Sequence, residues 1–335
     1  MILYAGPFLL LASIPAFALA FGAAGPLLTI ALLLLFLIGA EFVSPRGHVL
    51  KSGSLARNFR TLFYLYVPLQ IACVVWATSS AVHASPLGFA SLVLGTGVTT
   101  GVFGMLAAHE LVHSKRKGER MLGAVMLSAM TYRHFRIAHV HVHHRYAATL
   151  RDSATARLGE GFYAFLLRTL PGQFLEAWRF ERMRCSGAKF LTSRIVTDIA
   201  IALLSFVAVA ALWGAKGLLF FALQSFVAIT VLELFNYIAH YGLLRRDGEP
   251  LADRHSWNSS NVLVNLLIFN MGRHSYHHRK PAISYQDLEY VAQAPELPAG
   301  YAGSILLALV PPLWKRVMDG RAKSFGETAF AVPAE

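Results

Sequence analysis

Long apolar stretches alternate with polar segments along most of the chain. Six stretches of about 20 residues contain at most one charged side chain each, and they cover residues 2–21, 26–43, 62–82, 87–109, 195–214 and 217–240. A helix needs about 20 apolar residues to cross the hydrocarbon layer of a bilayer. The turns at 22–25 and 83–86 are very short, which predicts helical hairpins. The pattern therefore predicts an all-α integral membrane protein with six transmembrane helices.

Basic residues are concentrated on one predicted side of the membrane. Residues 44–61, 110–194 and 241–335 hold every Lys and Arg except Lys216, which lies in the turn between the last two spans. Loops rich in Lys and Arg are typically cytoplasmic. We therefore expect both termini, and a helical cap formed by residues 110–194 and 241–335, on the cytoplasmic side of a bacterial-type inner membrane. We expect a single domain over the whole chain.

The composition supports the membrane assignment. Of the 335 residues, 56% are hydrophobic and only 14% are charged, whereas a soluble domain carries about 25% charged residues. The net charge of +12 is explained by basic cytoplasmic loops near anionic lipid, so we expect no nucleic-acid partner. Cys73 and Cys185 are the only cysteines. They provide neither a disulfide framework nor a four-cysteine metal site.

The histidines are the strongest chemical signal in the sequence. Ten of the fourteen fall in the segments HELVH, HVHVHH, NYIAHYG and RHSYHH, which lie at or beyond the predicted cytoplasmic helix ends, and all of these except His141 have the spacing of candidate ligands. Residues three or four apart share one face of a helix, and neutral imidazole binds Fe, Zn and Cu. Because one zinc takes about four protein ligands, nine imidazoles fit two metals. These candidate ligands are His109, His113, His139, His143, His144, His240, His274, His277 and His278.

Two other classes of protein account for less of this pattern. The HELVH segment has the H-E-x-x-H form of a zinc peptidase helix, but a peptidase would use only His109, Glu110 and His113, and the chain lacks the Asn-Pro pair typical of an intramembrane metallopeptidase. A membrane metal transporter would place ionisable groups near the bilayer midplane. The pattern therefore favours a two-metal enzyme at the membrane surface.

The four histidine segments resemble those of the membrane-bound alkane hydroxylase (alkane 1-monooxygenase) family, a branch of the superfamily of membrane di-iron desaturases and hydroxylases. The NYIAHYG and RHSYHH segments are the more specific signs of that branch, and the likeness extends to the six spans and the order of the segments. The resemblance implies a non-haem centre of two Fe held by the nine histidines. It also implies that Glu110, Asp152 and Asn236 support the ligands from outside.

The resemblance further implies a reaction. Members of the family use O2 to hydroxylate the terminal carbon of an alkane to a primary alcohol, with electrons from a rubredoxin or ferredoxin and its reductase. Hydroxylation of the alkyl side chain of an aromatic, as in xylene monooxygenases, and desaturation or hydroxylation of an acyl lipid remain open alternatives. Ala138 and Ala239 stand where the family often has Glu, and this departure bears on the substrate more than on the metals.

Substrate and electrons must both reach the centre from outside. An alkane partitions into lipid, and Phe36, Trp76 and Phe103 are candidates to line an apolar channel from the bilayer. The sequence contains no four-cysteine cluster and no G-x-G-x-x-G fingerprint, so we expect an external electron donor. The donors of the family are acidic, and the basic run 115–117 offers a complementary surface.

Overall fold

Helices form all the regular structure of the residues that this computed structural model describes, which are 4–47 and 60–326. The first five, in chain order, are α1 (Gly6–Phe21), α2 (Gly25–Val43), α3 (Arg60–His83), α4 (Pro86–Thr99) and α5 (Met105–Val112). A π-helical turn at Thr100–Gly104 joins α4 to α5 in one continuous helical stretch. Parts of the predicted N-terminal span and cytoplasmic segments, at 1–3, 48–59 and 327–335, lie outside the described residues.

Shorter helices follow in the polar segment after α5. They are α6 (Lys117–Ser128), α7 (Phe135–Ala138), α8 (His144–Tyr146) and the longer α9 (Phe162–Arg184). A second π-helical turn at His139–His143 connects α7 to α8. The inner face of α9 repeats every three or four residues, with Phe162, Phe165 and Thr169 buried among others. This periodicity is that of an amphipathic helix packed on the rest of the protein.

Four helical stretches are long and apolar enough to cross a membrane: Gly6–Val43, Arg60–His83, Pro86–Val112 and Arg194–His240. The last of these is α10. Two of the stretches are interrupted, the first by a 3-10 turn at Gly22–Ala24 and α10 by Gly214. The φ of Gly214 is 64°, a left-handed conformation that only glycine adopts at little cost. Helices thus occupy all six predicted apolar segments.

Small residues bring α4 and α10 unusually close. A Cβ on Gly101 would lie 2.5 Å from the Ala228 carbonyl oxygen, and one on Gly97 would lie 2.6 Å from Val227 Cβ. Such glycine contacts are a common way for membrane helices to pack without a hydrophobic driving force. The close approach carries the end of α5 towards the end of α10, where His240 lies.

The C-terminal part contributes short helices over the same end of the bundle: α11 (Val262–Leu267), α12 (His274–Arg279), α13 (Gly300–Ala308) and α14 (Pro311–Gly326). Two hydrogen bonds fix α12. The Ser275 N–H donates to Asn258 Oδ1 at 3.0 Å, and Arg273 Nη1 donates to the Leu288 carbonyl at 2.7 Å. The last histidine segment is therefore held against the ends of α5 and α10.

Candidate metal centre

Four separate parts of the chain supply the nine histidines. His109 and His113 lie one turn apart at the end of α5, and His240 is the last residue of α10. The π-helical turn and α8 carry His139, His143 and His144, while α12 carries the remaining three. All nine side chains meet at one end of the bundle, and most of them are buried.

The nine imidazoles separate into two groups, in each of which the potential ligand nitrogens lie within 4.8 Å of one another. Group A has five members, which are His109, His113, His139, His144 and His277. Group B has four members, which are His143, His240, His274 and His278. The sequence predicted two metals from the number of histidines, and the structure provides two sets of ligands of the size that transition metals accept.

The spacing within each group fits metal coordination. The Nε2 atoms of His113 and His139 are 3.1 Å apart, and those of His240 and His274 are 3.0 Å apart. Two imidazoles at right angles on a metal, each about 2.1 Å from it, have nitrogens about 3.0 Å apart. Both ring nitrogens of His109 are buried without a hydrogen-bond partner. An uncompensated buried polar atom is costly, and a metal ion would remove that cost.

Burial keeps the imidazoles in the form that binds metals. Burial, reinforced by the neighbouring His143 ring, lowers the pKa of His113 and of His274 to about 3. The same cause, together with the crowding of other imidazoles, holds the pKa of His139 and His277 well below the usual range. These rings are therefore neutral at physiological pH, and each has a lone pair available for a metal.

Asp152 supports one imidazole from outside the two groups. Its Oδ2 lies 2.8 Å from His143 Nδ1 and also accepts a 2.6 Å hydrogen bond from the Thr155 hydroxyl. An ionised carboxylate only accepts, so His143 carries its proton on Nδ1. The opposite atom, His143 Nε2, is buried without a partner and lies in group B. This is the arrangement by which a carboxylate orients a metal-binding histidine.

Glu110 and Asn236 make different contacts from those expected. Glu110 Oε1 lies 3.9 Å from Arg60 Nη2, and Asn236 Nδ2 donates a 3.1 Å hydrogen bond to Glu233 Oε2. Neither side chain is hydrogen-bonded to an imidazole within the described part of the chain. Each is engaged by another side chain, and their support of the ligands stays a prediction.

Glu233 is a residue that the sequence analysis missed. Its fully buried carboxylate accepts from four neutral groups: Tyr132, Thr169, Gln173 and Asn236. An acidic residue inside an apolar span is rare and is usually functional. That isolated position in the sixth span was the only sequence signal for it.

An apolar cavity of about 40 Å³ lies directly beside the histidines. His109, His139 and His274 form one part of its wall, and apolar side chains of the α4–α5 stretch, α10 and α13 form most of the rest. The other lining residues are Gly101, Val102, Met105, Leu106, Phe135, Leu232, Phe235, Asn236, Ala239, Met271 and Tyr301. Ala239, where the family often has Glu, is thus part of this wall.

The three aromatic residues proposed as channel candidates lie elsewhere. Phe36 is 43% exposed on the outside of α2, Phe103 is fully buried in the core, and Trp76 is partly buried against that core. None of them lines the cavity beside the histidines. Whether a residue lines the cavity depends on which face of its helix it occupies. A segment that is apolar throughout does not reveal that face.

The fold and site define a class of protein: a helical membrane protein with two histidine clusters that could each hold a metal, beside an apolar cavity. Residues 83–305 match the family model "Fatty acid desaturase". Alkane 1-monooxygenase 1 of Pseudomonas aeruginosa is 36% identical over 314 residues, which cover 90% of this chain and 81% of that protein. The alkane 1-monooxygenase of Ectopseudomonas oleovorans is 36% identical over 296 residues, 84% of this chain and 73% of that protein.

The name of a more distant relative refers to a different kind of substrate. The hydroxylase component of xylene/toluene monooxygenase from Pseudomonas putida is 28% identical over 282 residues, 81% of this chain and 76% of that protein. The chain belongs to the fatty acid desaturase family and, within it, to the alkane 1-monooxygenases. It is accordingly an oxygenase and an integral membrane protein that needs a redox partner and an apolar substrate.

Proposed function

We propose that this protein hydroxylates the terminal carbon of an alkane to a primary alcohol, using O2 and electrons from an external donor. The observation that carries the proposal is the pair of imidazole groups lying against an apolar cavity. No protein side chain attacks an unactivated C–H bond, so the chemistry must come from a metal. The alkane 1-monooxygenases to which the chain is 33–37% identical are named for the same reaction.

Group A would hold one iron and group B the other. Bound iron supplies the activation of O2 and the attack on the C–H bond. The protein holds the ligands: Asp152 fixes the tautomer of His143, and burial keeps the rings neutral. Glu110 contacts Arg60 and Asn236 contacts Glu233, and among the described residues neither of them is hydrogen-bonded to an imidazole.

The cavity would hold the reacting end of the substrate. Its volume of about 40 Å³ admits a few carbon atoms, so the end of a chain fits beside the imidazoles and the rest must extend from it. Leu232 and Val102 confine that end with apolar surface, which excludes water from the reaction. Ala239 leaves this wall without the carboxylate that many relatives have.

The membrane arrangement supports entry of substrate from lipid. We propose six passes, because the breaks at Gly22–Ala24 and Gly214 divide the two longest apolar stretches into hairpins. The positive-inside rule then places both termini and the histidine-bearing cap on the cytoplasmic side of the inner membrane. The whole chain would form a single domain, of which 83–305 match the desaturase family model.

A rubredoxin or ferredoxin with its reductase would supply the electrons. The two cysteines of this chain cannot form a four-cysteine iron site. Lys115, Arg116 and Lys117 are exposed close to His113 and would attract an acidic donor. Changing these rim charges should slow the association more than the later steps.

An alkyl-substituted aromatic is the second candidate substrate, because of the likeness to the xylene/toluene enzyme. A direct competition separates the two. Purified, iron-loaded protein with rubredoxin, its reductase and O2 should convert a medium-chain alkane to the 1-alcohol faster than it converts xylene.

His240→Ala should remove this activity, since the change deletes a group B nitrogen. Stoichiometric zinc with little iron in active protein, or turnover by the His240 variant equal to that of the wild type, would contradict the proposal.

A further inference from the structure

A second and much larger cavity, of about 650 Å³, opens beside His113 where α10 begins. Four cationic side chains line it: Lys117, Arg120, Arg136 and Arg194. Its described lining contains no Asp or Glu. Apolar groups of Val112, Met121 and Val140 form much of the floor. We refer to this cavity as the basic cavity.

The carboxylates near the basic cavity are already shared between two arginines each. Asp198 accepts from Arg133 and Arg136 at 2.9 and 2.8 Å. Glu181 accepts from Arg184 and Arg194 at 2.8 and 2.6 Å. Each set has one more positive than negative charge, so the wall keeps an excess of positive charge that these acids do not neutralise.

Glu181 remains ionised in this arrangement. Burial by itself would raise the pKa of Glu181, but the hydrogen bonds from Arg184 and Arg194 outweigh burial and bring that pKa down to about 2. The carboxylate therefore holds Arg194 in place over the whole physiological range. Lys117 and Arg120 are exposed at the opposite rim, and Arg120 is fixed by the Lys115 carbonyl at 2.7 Å. Arg120, Arg136 and Arg194 are thus held at defined positions around the opening.

The surroundings of the basic cavity are those of a lipid-facing surface. On α6, Met121 and Val125 are 53% and 42% exposed, one turn apart. On α10, Leu203 and Leu204 are 61% and 65% exposed, two turns beyond the cavity. Positive charges next to exposed apolar side chains mark the depth of the phospholipid head groups. Basic cavities between membrane helices on this side bind anionic head groups.

We propose that the basic cavity binds the phosphate head group of an anionic phospholipid, with the acyl chains lying over the exposed apolar side chains of α6 and α10. This proposal rests on the membrane placement given above, but not on the hydroxylation reaction. The phosphodiester accepts hydrogen bonds from the guanidinium groups. The Thr192 and Thr197 side chains also line the cavity, but their hydroxyls already donate to the Lys189 and Ser193 carbonyls, so the cationic groups are the donors to the phosphate.

The test measures lipid retention by the full-length, metal-loaded protein. The protein is reconstituted in nanodiscs of mixed phosphatidylglycerol and phosphatidylcholine, extracted with detergent, and its retained lipids are counted by native mass spectrometry. We expect phosphatidylglycerol to be retained over phosphatidylcholine. The double variant K117Q/R120Q should bind phosphatidylglycerol about thirtyfold more weakly, since each basic side chain near an anionic head group contributes about a fivefold factor.

The matched control is K315Q/R316Q on α14, which removes the same charge away from the cavity and should leave retention unchanged. The charge-conserving variant K117R/R120K should also retain phosphatidylglycerol, which separates charge from folding. An equal loss of lipid retention in the α14 control would overturn the proposal, and so would a wild type that shows no preference for phosphatidylglycerol. Inorganic phosphate alone binding as well as phosphatidylglycerol would overturn it too. Loss of binding to an acidic redox protein with lipid retention unchanged would assign the cavity to that partner instead. Iron content and alcohol formation, measured on the wild-type samples, report separately on the proposed function.

Discussion

The hydrogen bond from His143 to Asp152 gives the sharpest test of the metal assignment. The carboxylate is 1% exposed and accepts three hydrogen bonds, from His143 Nδ1 at 2.8 Å, the Thr155 hydroxyl at 2.6 Å and the Ala154 N–H at 3.1 Å. Asp152→Asn keeps an oxygen for His143 but removes the negative charge. Asp152→Ala removes both the charge and the acceptor.

Partners of this kind change metal affinity or activity by about 10–100-fold, or about 1.4–2.7 kcal/mol. We therefore expect a graded effect. Asp152→Asn should weaken iron retention against a chelator about tenfold, and Asp152→Ala about hundredfold, because only the second change frees the ring of His143. The measurement is the iron content per chain after dialysis against increasing chelator, with hydroxylation rates on the same samples.

Glu176→Gln is the matched control. Its carboxylate accepts from the Ser153 N–H at 2.8 Å, one residue from Asp152, but within the described residues it is hydrogen-bonded to no imidazole. This variant loses the same charge nearby and should retain iron like the wild type. A folded Asp152→Ala protein with the chelator resistance of the wild type would show that Asp152 does not orient a ligand. An equal loss in Glu176→Gln would show that only the overall charge matters.

Three further predictions concern separate parts of the molecule. The stability advantage of wild type over Glu181→Gln should be full above pH 4.5 and should disappear as the pH falls towards 2, because folding lowers the pKa of Glu181; thermal unfolding in detergent across pH measures it. Leu232→Ala should shift kcat/KM towards longer alkanes by about tenfold or more by product chromatography, whereas lipid-exposed Leu204→Ala should not. Gly101→Ala should destabilise the fold by about 1–3 kcal/mol, since its Cβ would meet the Ala228 carbonyl, and an unchanged unfolding midpoint would contradict this.

The apolar pattern predicted the helices well because burial in lipid imposes a simple rule on length and polarity. Helices occupy each of the six predicted segments within the described residues, and the short turn predicted at 22–25 appears as the 3-10 turn Gly22–Ala24. The pattern did not predict which face of each helix points outwards. Phe36 and Phe103 are equally apolar in the sequence, yet one is exposed and the other is fully buried.

The division of the histidines was also beyond the sequence. His143 and His144 are neighbours in the chain, but they belong to groups B and A. Successive residues on a helix point about 100° apart, so the two rings leave the same segment in different directions. Which imidazoles each ring then meets depends on where α12 and the end of α10 are placed in space. Spacing gave the number of candidate ligands, and only tertiary packing gives their grouping.

The H-E-x-x-H segment shows why a motif must be weighed with its surroundings. In a zinc peptidase the glutamate acts as a general base next to the metal, but here Glu110 lies beside Arg60, whose guanidinium also pairs with Glu119. The two histidines are joined by three more imidazoles within 4.8 Å, one more nitrogen than a structural zinc accepts. A second group of four lies alongside, and the ring of its His143 is 5.7 Å from the ring of His144 in group A. Nine nitrogens in two adjacent sets are more than one peptidase zinc takes, and they suit the pair of metals proposed above.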